Sequence, residues 1–322
     1  MSAVTVVKNN DGKLELNENE LKKIFYHPRA IDKNVVVISI TGALRKGKTT
    51  LLNFIKMFLE KRMDGNKLDN EPLRGLPAMQ GSEAVTQGII MWSEPFVLHL
   101  DDEDFAVFLV DTEGAFELGS DNATSSTIFA LSSLISSVQI FNVMHMVDQR
   151  DFELLALFGR YATAISAASK EIEAFQKLVI VVRDWHSPCD INYGPASLND
   201  YLNKLRKKKD SKEFQGIRYE FEKSFSHISC FMFPDPGKTV TVCKEKPKSE
   251  FYFNDDDDEF ITYVKLFTKD LLTSNVVKKV GGEKIKSKEC FELFKEYYDV
   301  LKSGKVSPPE SILTIRIEIL YY

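Results

Sequence analysis

The sequence predicts an α/β fold with a mostly parallel central sheet and helices on both of its faces, and three observations predict it. Residues 42–49 read Gly-Ala-Leu-Arg-Lys-Gly-Lys-Thr, a complete phosphate-binding loop. The loop is framed as that chemistry needs. The apolar run 35–40 (Val-Val-Val-Ile-Ser-Ile) suits a buried parallel strand, and 50–62 carries Leu51, Phe54, Ile55, Phe58 and Leu59 at helical spacing. Strand-like runs at 35–40, 88–92, 105–110, 137–143, 177–182 and 227–233 alternate with helical patterns at 50–62, 124–136, 151–168 and 198–208. Such alternation gives a parallel sheet covered on both faces, with the ligand site built by loops after the strands' carboxyl ends.

The remaining elements follow in order. Residues 13–16 form a short early strand, and Asn17 with Glu20 makes a capping pair that opens a helix to Phe25. Residues 123–147 carry no Asp, Glu, Lys or Arg, yet their serines, Gln139 and Asn142 are too many polar groups for a lipid-facing span. Ile128, Leu131, Leu134, Ile135 and Val138 share one helical face, so this is a core helix, and no transmembrane segment is expected. The acidic run 254–259 lacks the ligand spacing of a calcium loop and fits the first turn of a helix over 259–272. Gly281-Gly282 marks a turn, and 287–301 is amphipathic. Pro308-Pro309 breaks the chain, and 312–322 alternates like a strand.

Composition excludes several classes. Hydrophobic residues at 43% and charged residues at 28% are ordinary for a globular protein. A net charge of −5 gives no support to nucleic-acid binding, and the basic run 204–209 is read as a solvated face. The cysteines, Cys189, Cys230, Cys243 and Cys290, show no CxxC spacing, which argues for reduced thiols in a cytosolic compartment. The histidines are scattered, so no metal beyond Mg²⁺ is supported. The N-terminus is polar and has no secretory signal.

Three further motifs bear on what the phosphate loop does. In the loop itself, Lys48 would reach the β/γ-phosphates and the Thr49 hydroxyl would join the shell of a Mg²⁺ ion. An apolar strand runs into Asp111-Thr112-Glu113-Gly114, where the Asp can hold a Mg²⁺-bound water and the Gly N–H can meet the γ-phosphate. Between them lies Thr86-Gln87-Gly88, in which Thr86 is either a switch residue joining the metal or simply a capped turn. The strand 179–182 ends in Arg183-Asp184-Trp185. A carboxylate there can accept two hydrogen bonds from the N1–H and 2-amino group of guanine, which adenine cannot supply. A surface Arg–Asp pair is the equal alternative.

Taken together, Gly-Ala-Leu-Arg-Lys-Gly-Lys-Thr, Thr-x-Gly, Asp-Thr-Glu-Gly, Val-Arg-Asp-Trp and the Phe-Pro-Asp-Pro-Gly of 233–237 resemble, in order and spacing, the dynamin-related GTPases of the atlastin and guanylate-binding-protein group. Residues 182–194 and 130–138 look specifically like atlastins, and the resemblance covers roughly residues 10–312. It implies a P-loop GTPase domain over 1–275, followed over 276–322 by a linker and the truncated start of a helical middle domain.

The same resemblance implies site roles. Arg45, Lys46, Gly47, Lys48, Thr49 and Thr50 would hold GTP phosphates, with Glu113 and Gly114 near the γ-phosphate. Thr49, Thr86 and Asp111 would serve Mg²⁺, Arg183 and Asp184 the guanine, and Val240 the loop covering the base. Arg45 matches an arginine finger supplied in cis, and Lys48 and Thr86 are the other residues expected to be catalytic. Two departures stand out: Glu113 where atlastins usually carry Gln, and Cys243 where they show Asn.

The family's cycle implies GTP-dependent pairing through the GTPase domain, as a homodimer or with full-length relatives. It also implies homotypic fusion at the cytosolic face of the endoplasmic reticulum. A chain stopping before the membrane hairpin is expected to be cytosolic, and a non-fusogenic binding module, an inhibitor of full-length relatives or a soluble guanylate-binding-type GTPase are the alternatives.

Overall fold

A computed structural model describes residues 2–10, 13–43, 46–64, 75–76, 88–112, 122–168, 175–205, 212–237, 259–273 and 276–303. Chain order runs β1 (Ala3–Asn10), β2 (Lys13–Leu16), α1 (Glu18–Phe25), β3 (Asn34–Gly42), α2 (Lys48–Asp64), β4 (Ile89–Trp92), β5 (Phe96–Leu100), β6 (Glu103–Thr112), α3 (Asn122–Ile135) and β7 (Val138–Met144). It continues through α4 (Gln149–Ala168), β8 (Phe175–Arg183), β9 (Gly194–Ser197), α5 (Leu198–Leu205), α6 (Lys212–Ser224), β10 (Phe225–Met232), α7 (Glu259–Leu271), β11 (Lys279–Val280), β12 (Glu283–Lys284) and α8 (Ser287–Lys302).

Ten strands form one sheet in the order β2-β1-β4-β6-β3-β7-β8-β10-β9, with β5 paired to β6 off that path. The centre, β6-β3-β7-β8-β10, is wholly parallel. The flanks are antiparallel. After β3 the chain pairs on one side through β6 and on the other through β7, so β3 ends at a topological switch point. The phosphate loop starts there.

The central strands are apolar throughout because both pleat faces are covered. Val35 and Val37 of β3 join one core with α1, α3, α4 and α8, whereas Val36, Ile38 and Ile40 join the other with α2 and α7. From 128 to 143 the uncharged stretch is buried in this body, where Ser136 Oγ bonds Ser39 Oγ at 2.6 Å, which in turn donates to Gln139 Oε1; His145 and Met146, beyond the strand, are exposed. Among the described residues no helix is long and apolar enough to cross a membrane.

The elements not anticipated are β1, the β5 arm, β9, α6 and the short β11–β12 pair. The β5–β6 turn is made by Asp101 (φ 48°) and Asp102 (φ 64°), both left-handed, as a two-residue hairpin that follows strand twist requires. Asp-Asp is a weaker turn signal than Asn-Gly, which is why the hairpin is hard to see in the sequence.

Packing continues past residue 275. Lys278 donates its main-chain N–H to Val35 O (2.8 Å), and Val35 N–H donates to Ile285 O (3.1 Å). The buried ammonium of Lys278 caps the end of α3, donating to Leu134 O (2.6 Å) and Ser136 O (3.1 Å), where a cation suits the helix carboxyl end. Phe291, Phe294, Tyr297 and Tyr298 of α8 lie in the same core as α1 and α3. Residues 276–303 therefore share the hydrophobic body of the sheet.

Helix α4 opens on a reciprocal cap. Asp148 N–H donates to Asp151 Oδ2 (2.9 Å) and Asp151 N–H to Asp148 Oδ1 (3.0 Å). Burial pushes the Asp151 carboxyl up to about 6, against the hydrogen bond from Asp148. Because the folded state binds this proton more tightly than the unfolded chain, the contribution to stability is full below the unfolded pKa and is lost as pH rises through about 6. Between pH 7 and pH 4 the parent should gain on the order of 2 kcal/mol relative to Asp151→Asn in urea unfolding. A constant difference between the two proteins would mean that Asp151 titrates as an ordinary carboxylate.

Candidate functional site

The phosphate loop is held from three sides. Gly42 closes β3 at φ 141° with its backbone so near β7 that a Cβ would lie 2.2 Å from Asn142 O. Asn142 Nδ2 then donates to Lys46 O at 2.9 Å, anchoring the loop from the neighbouring strand. Gly47 takes φ 74°, and its carbonyl is 3.4 Å from Arg183 Nη1; a Cβ there would stand 3.1 Å from the same nitrogen. Helix α2 starts at once, with Leu51 N–H donating to Gly47 O, so its amino end faces the loop. Lys48 is buried, its ammonium 3.1 Å from Ala43 O across the loop. Thr50 is buried beside it.

From β6, fully buried Asp111 accepts a hydrogen bond from Thr49 Oγ1 at 2.6 Å. Thr112 Oγ1 donates to Ile40 O (2.8 Å) and fixes the end of β6 against β3. A hydroxyl and a carboxylate converging at the amino end of a helix are the hard oxygen donors that Mg²⁺ takes, so these residues fit that ion.

At the end of β8 the chain turns sharply. Asp184 sits at φ 53°, Phe233 N–H donates to Val182 O (2.9 Å), and Trp185 N–H donates to Phe233 O (2.9 Å). Arg183, its guanidinium 5.3 Å from the Phe260 ring centre, spans from the carboxyl end of β8 to the phosphate loop. Burial pushes the Asp184 carboxyl up; the charges of Arg183, His145 and His186 oppose this, and Asp235 adds to it. Asp184 Oδ1 is buried and has no hydrogen-bond partner among the described residues. A buried acceptor in that state is suited to a donor that arrives from outside.

The structure thus brings Lys46, Gly47, Lys48, Thr49, Thr50, Asp111, Arg183 and Asp184 to one carboxyl edge of the sheet. Arg45, Thr86, Glu113, Gly114 and Val240 lie outside the described residues, as do Cys243 and the chain after 303. Sequence reasoning missed Asn142 and His145. A polar Asn closing the buried run 137–143 was the available signal for the first; nothing in the sequence pointed to the second.

A glycine-bearing loop between a buried parallel strand and a helix amino end, at a switch point of the sheet, defines a phosphate-loop α/β fold. The profile "Guanylate-binding protein, N-terminal domain" matches residues 11–280. The chain belongs to that family. It is 35% identical to atlastin-1 of Rattus norvegicus over 98% of this chain and 57% of that protein. Atlastin-2 of Xenopus laevis is 33% identical over 98% and 56%, and atlastin of Drosophila melanogaster 30% over 98% and 60%. The chain therefore spans little more than half the length of these relatives.

Proposed function

We propose that this chain binds GTP with Mg²⁺ and hydrolyses it to GDP and phosphate. The observation that carries the reading is the buried Oδ1 of Asp184, without a hydrogen-bond partner among the described residues, set at one strand tip and joined through Arg183 to the phosphate loop. One end offers an acceptor for a guanine edge; the other offers a helix amino end, an ammonium and two hard oxygens.

In this reading the α2 amino end and Lys48 hold the phosphates, and Lys48 exchanges Ala43 O for a phosphate oxygen. Thr49 would hold Mg²⁺, with Asp111 at close range and Thr86 joining in the triphosphate state. Held there, the ion would supply charge neutralisation for the phosphates. Arg45, by its match to the family's finger, would neutralise charge developing on the transferred phosphoryl group. Asp184 accepts from N1–H and the 2-amino group of the base, while Val240 would cover it. Gly114 and Glu113 would meet the γ-phosphate.

The packing of residues 276–303 into the sheet's core supports a GTPase domain that runs to about 303, beyond the boundary expected at 275. By kinship to atlastins we extend the reading to GTP-dependent pairing of this domain, with a like copy or a longer relative, and for the whole protein to homotypic fusion at the endoplasmic reticulum. Displacement of a fluorescent guanine nucleotide by GTP and by ATP, with Mg²⁺ present, tests the first step. Mass in solution with GDP, a non-hydrolysable GTP analogue and a transition-state mimic tests the second. Equal displacement by GTP and ATP would remove the guanine reading, and an unchanged monomer in all three states would remove the pairing.

A further inference from the structure

We propose that His145 is a positioning residue for base selection: it holds the main chain of Asp184 in the conformation that presents its carboxylate to a guanine edge. The inference rests on the reading of Asp184 given above and adds the residue that sets it.

Asp184 occupies the left-handed region (φ 53°), which is unfavourable for a non-glycine residue and persists only where its surroundings hold it. The pairing of β7 with β8 ends at Met144↔Arg183. One residue on, His145 is itself left-handed (φ 64°), and this turns both its amide and its ring towards β8. Its main-chain N–H donates to Arg183 O at 2.7 Å. Its ring Nδ1 lies 3.2 Å from Asp184 O. A carbonyl can only accept, so His145 Nδ1 carries a proton and donates to it. One residue thus occupies both carbonyls of the Arg183-Asp184 step.

The clamp has support on either side. The exposed His145 ring stacks on the exposed His186 ring, with centres 5.0 Å apart and planes at 24°. From the β10 side, Phe233 O accepts from Trp185 N–H, and the Trp185 indole N–H donates to Ile191 O at 2.8 Å. The peptides flanking Asp184 are pinned from two strands, while its carboxylate Oδ1 is left for a ligand. The ligand class is a purine nucleotide with two adjacent donors. Inosine has one of them and adenine has neither, so the three bases grade the fit.

The test uses the full chain and compares the affinities of GTP, ITP and ATP, with turnover at saturating GTP. In His145→Leu the preference for GTP over ITP is expected to fall on the order of tenfold, the worth of one well-aligned hydrogen bond, while saturated turnover stays near the parent's. His145→Asn keeps a side-chain donor and should recover most of the preference; isosteric His145→Asp, with no donor, should not. The Asn/Asp pair also decides the matter if the Leu variant fails to fold. Parent-like preference in both Leu and Asp variants would overturn the assignment of His145. If the parent shows no preference for GTP over ATP, the guanine reading itself fails and this inference with it.

Discussion

Asp184→Asn is expected to move base preference from guanine to xanthine. The carboxylate offers two acceptors, matching the N1–H and 2-amino donors of guanine. An amide in its place offers one acceptor and one donor. Xanthine presents N1–H beside a 2-oxo group, so the amide pairs with both and leaves nothing buried unpaired. With GTP, an amide N–H would instead face the 2-amino group. Buried sites reject such a mismatch strongly, so XTP should gain over GTP on the order of 10²-fold relative to the parent. The backbone should tolerate the change, because Asn adopts the left-handed conformation readily. Burial already works against the Asp184 charge, so thermal stability should hold or rise. Competition among GTP, XTP and ATP for one fluorescent probe measures this; an Asn variant that still favours GTP would show that Asp184 does not read the base.

Gly42→Ala is expected to be the most damaging single methyl addition at the site, costing more than about 4 kcal/mol or preventing folding. The new Cβ would meet the main-chain carbonyl of Asn142 at 2.2 Å, and its φ of 141° is one that L side chains rarely adopt. Relief by shifting β7 is blocked, because Gly42 and Asn142 are register partners in the parallel ladder. The same shift would carry Asn142 Nδ2 away from Lys46 O and loosen the phosphate loop. Gly237→Ala is the control: φ is 74° there, but no described residue lies within 4 Å of the added carbon. It should cost only the backbone penalty of about 1 kcal/mol. Melting temperature and soluble yield compare the two, and a parent-like Gly42→Ala would mean that β3 and β7 stand further apart than this.

The sequence by itself determined the strand–loop–helix unit and the parallel centre of the sheet. Those features are written locally: glycines at fixed spacing, an apolar run long enough for a two-faced strand, and helical periodicity directly after the loop. The order and spacing of the motifs also carried the family. Tertiary structure alone decided the rest. It set β1 antiparallel between β2 and β4, sent Lys278 under the end of α3, and brought α8 back onto α1. It also placed His145 on the carbonyl of Asp184, a residue 39 positions away in sequence. Such contacts join residues that no periodicity relates; they exist because parallel pairing of β7 and β8 brings two strand ends side by side. A histidine in a loop has no signature of its own, and its role comes from the strained backbone it meets.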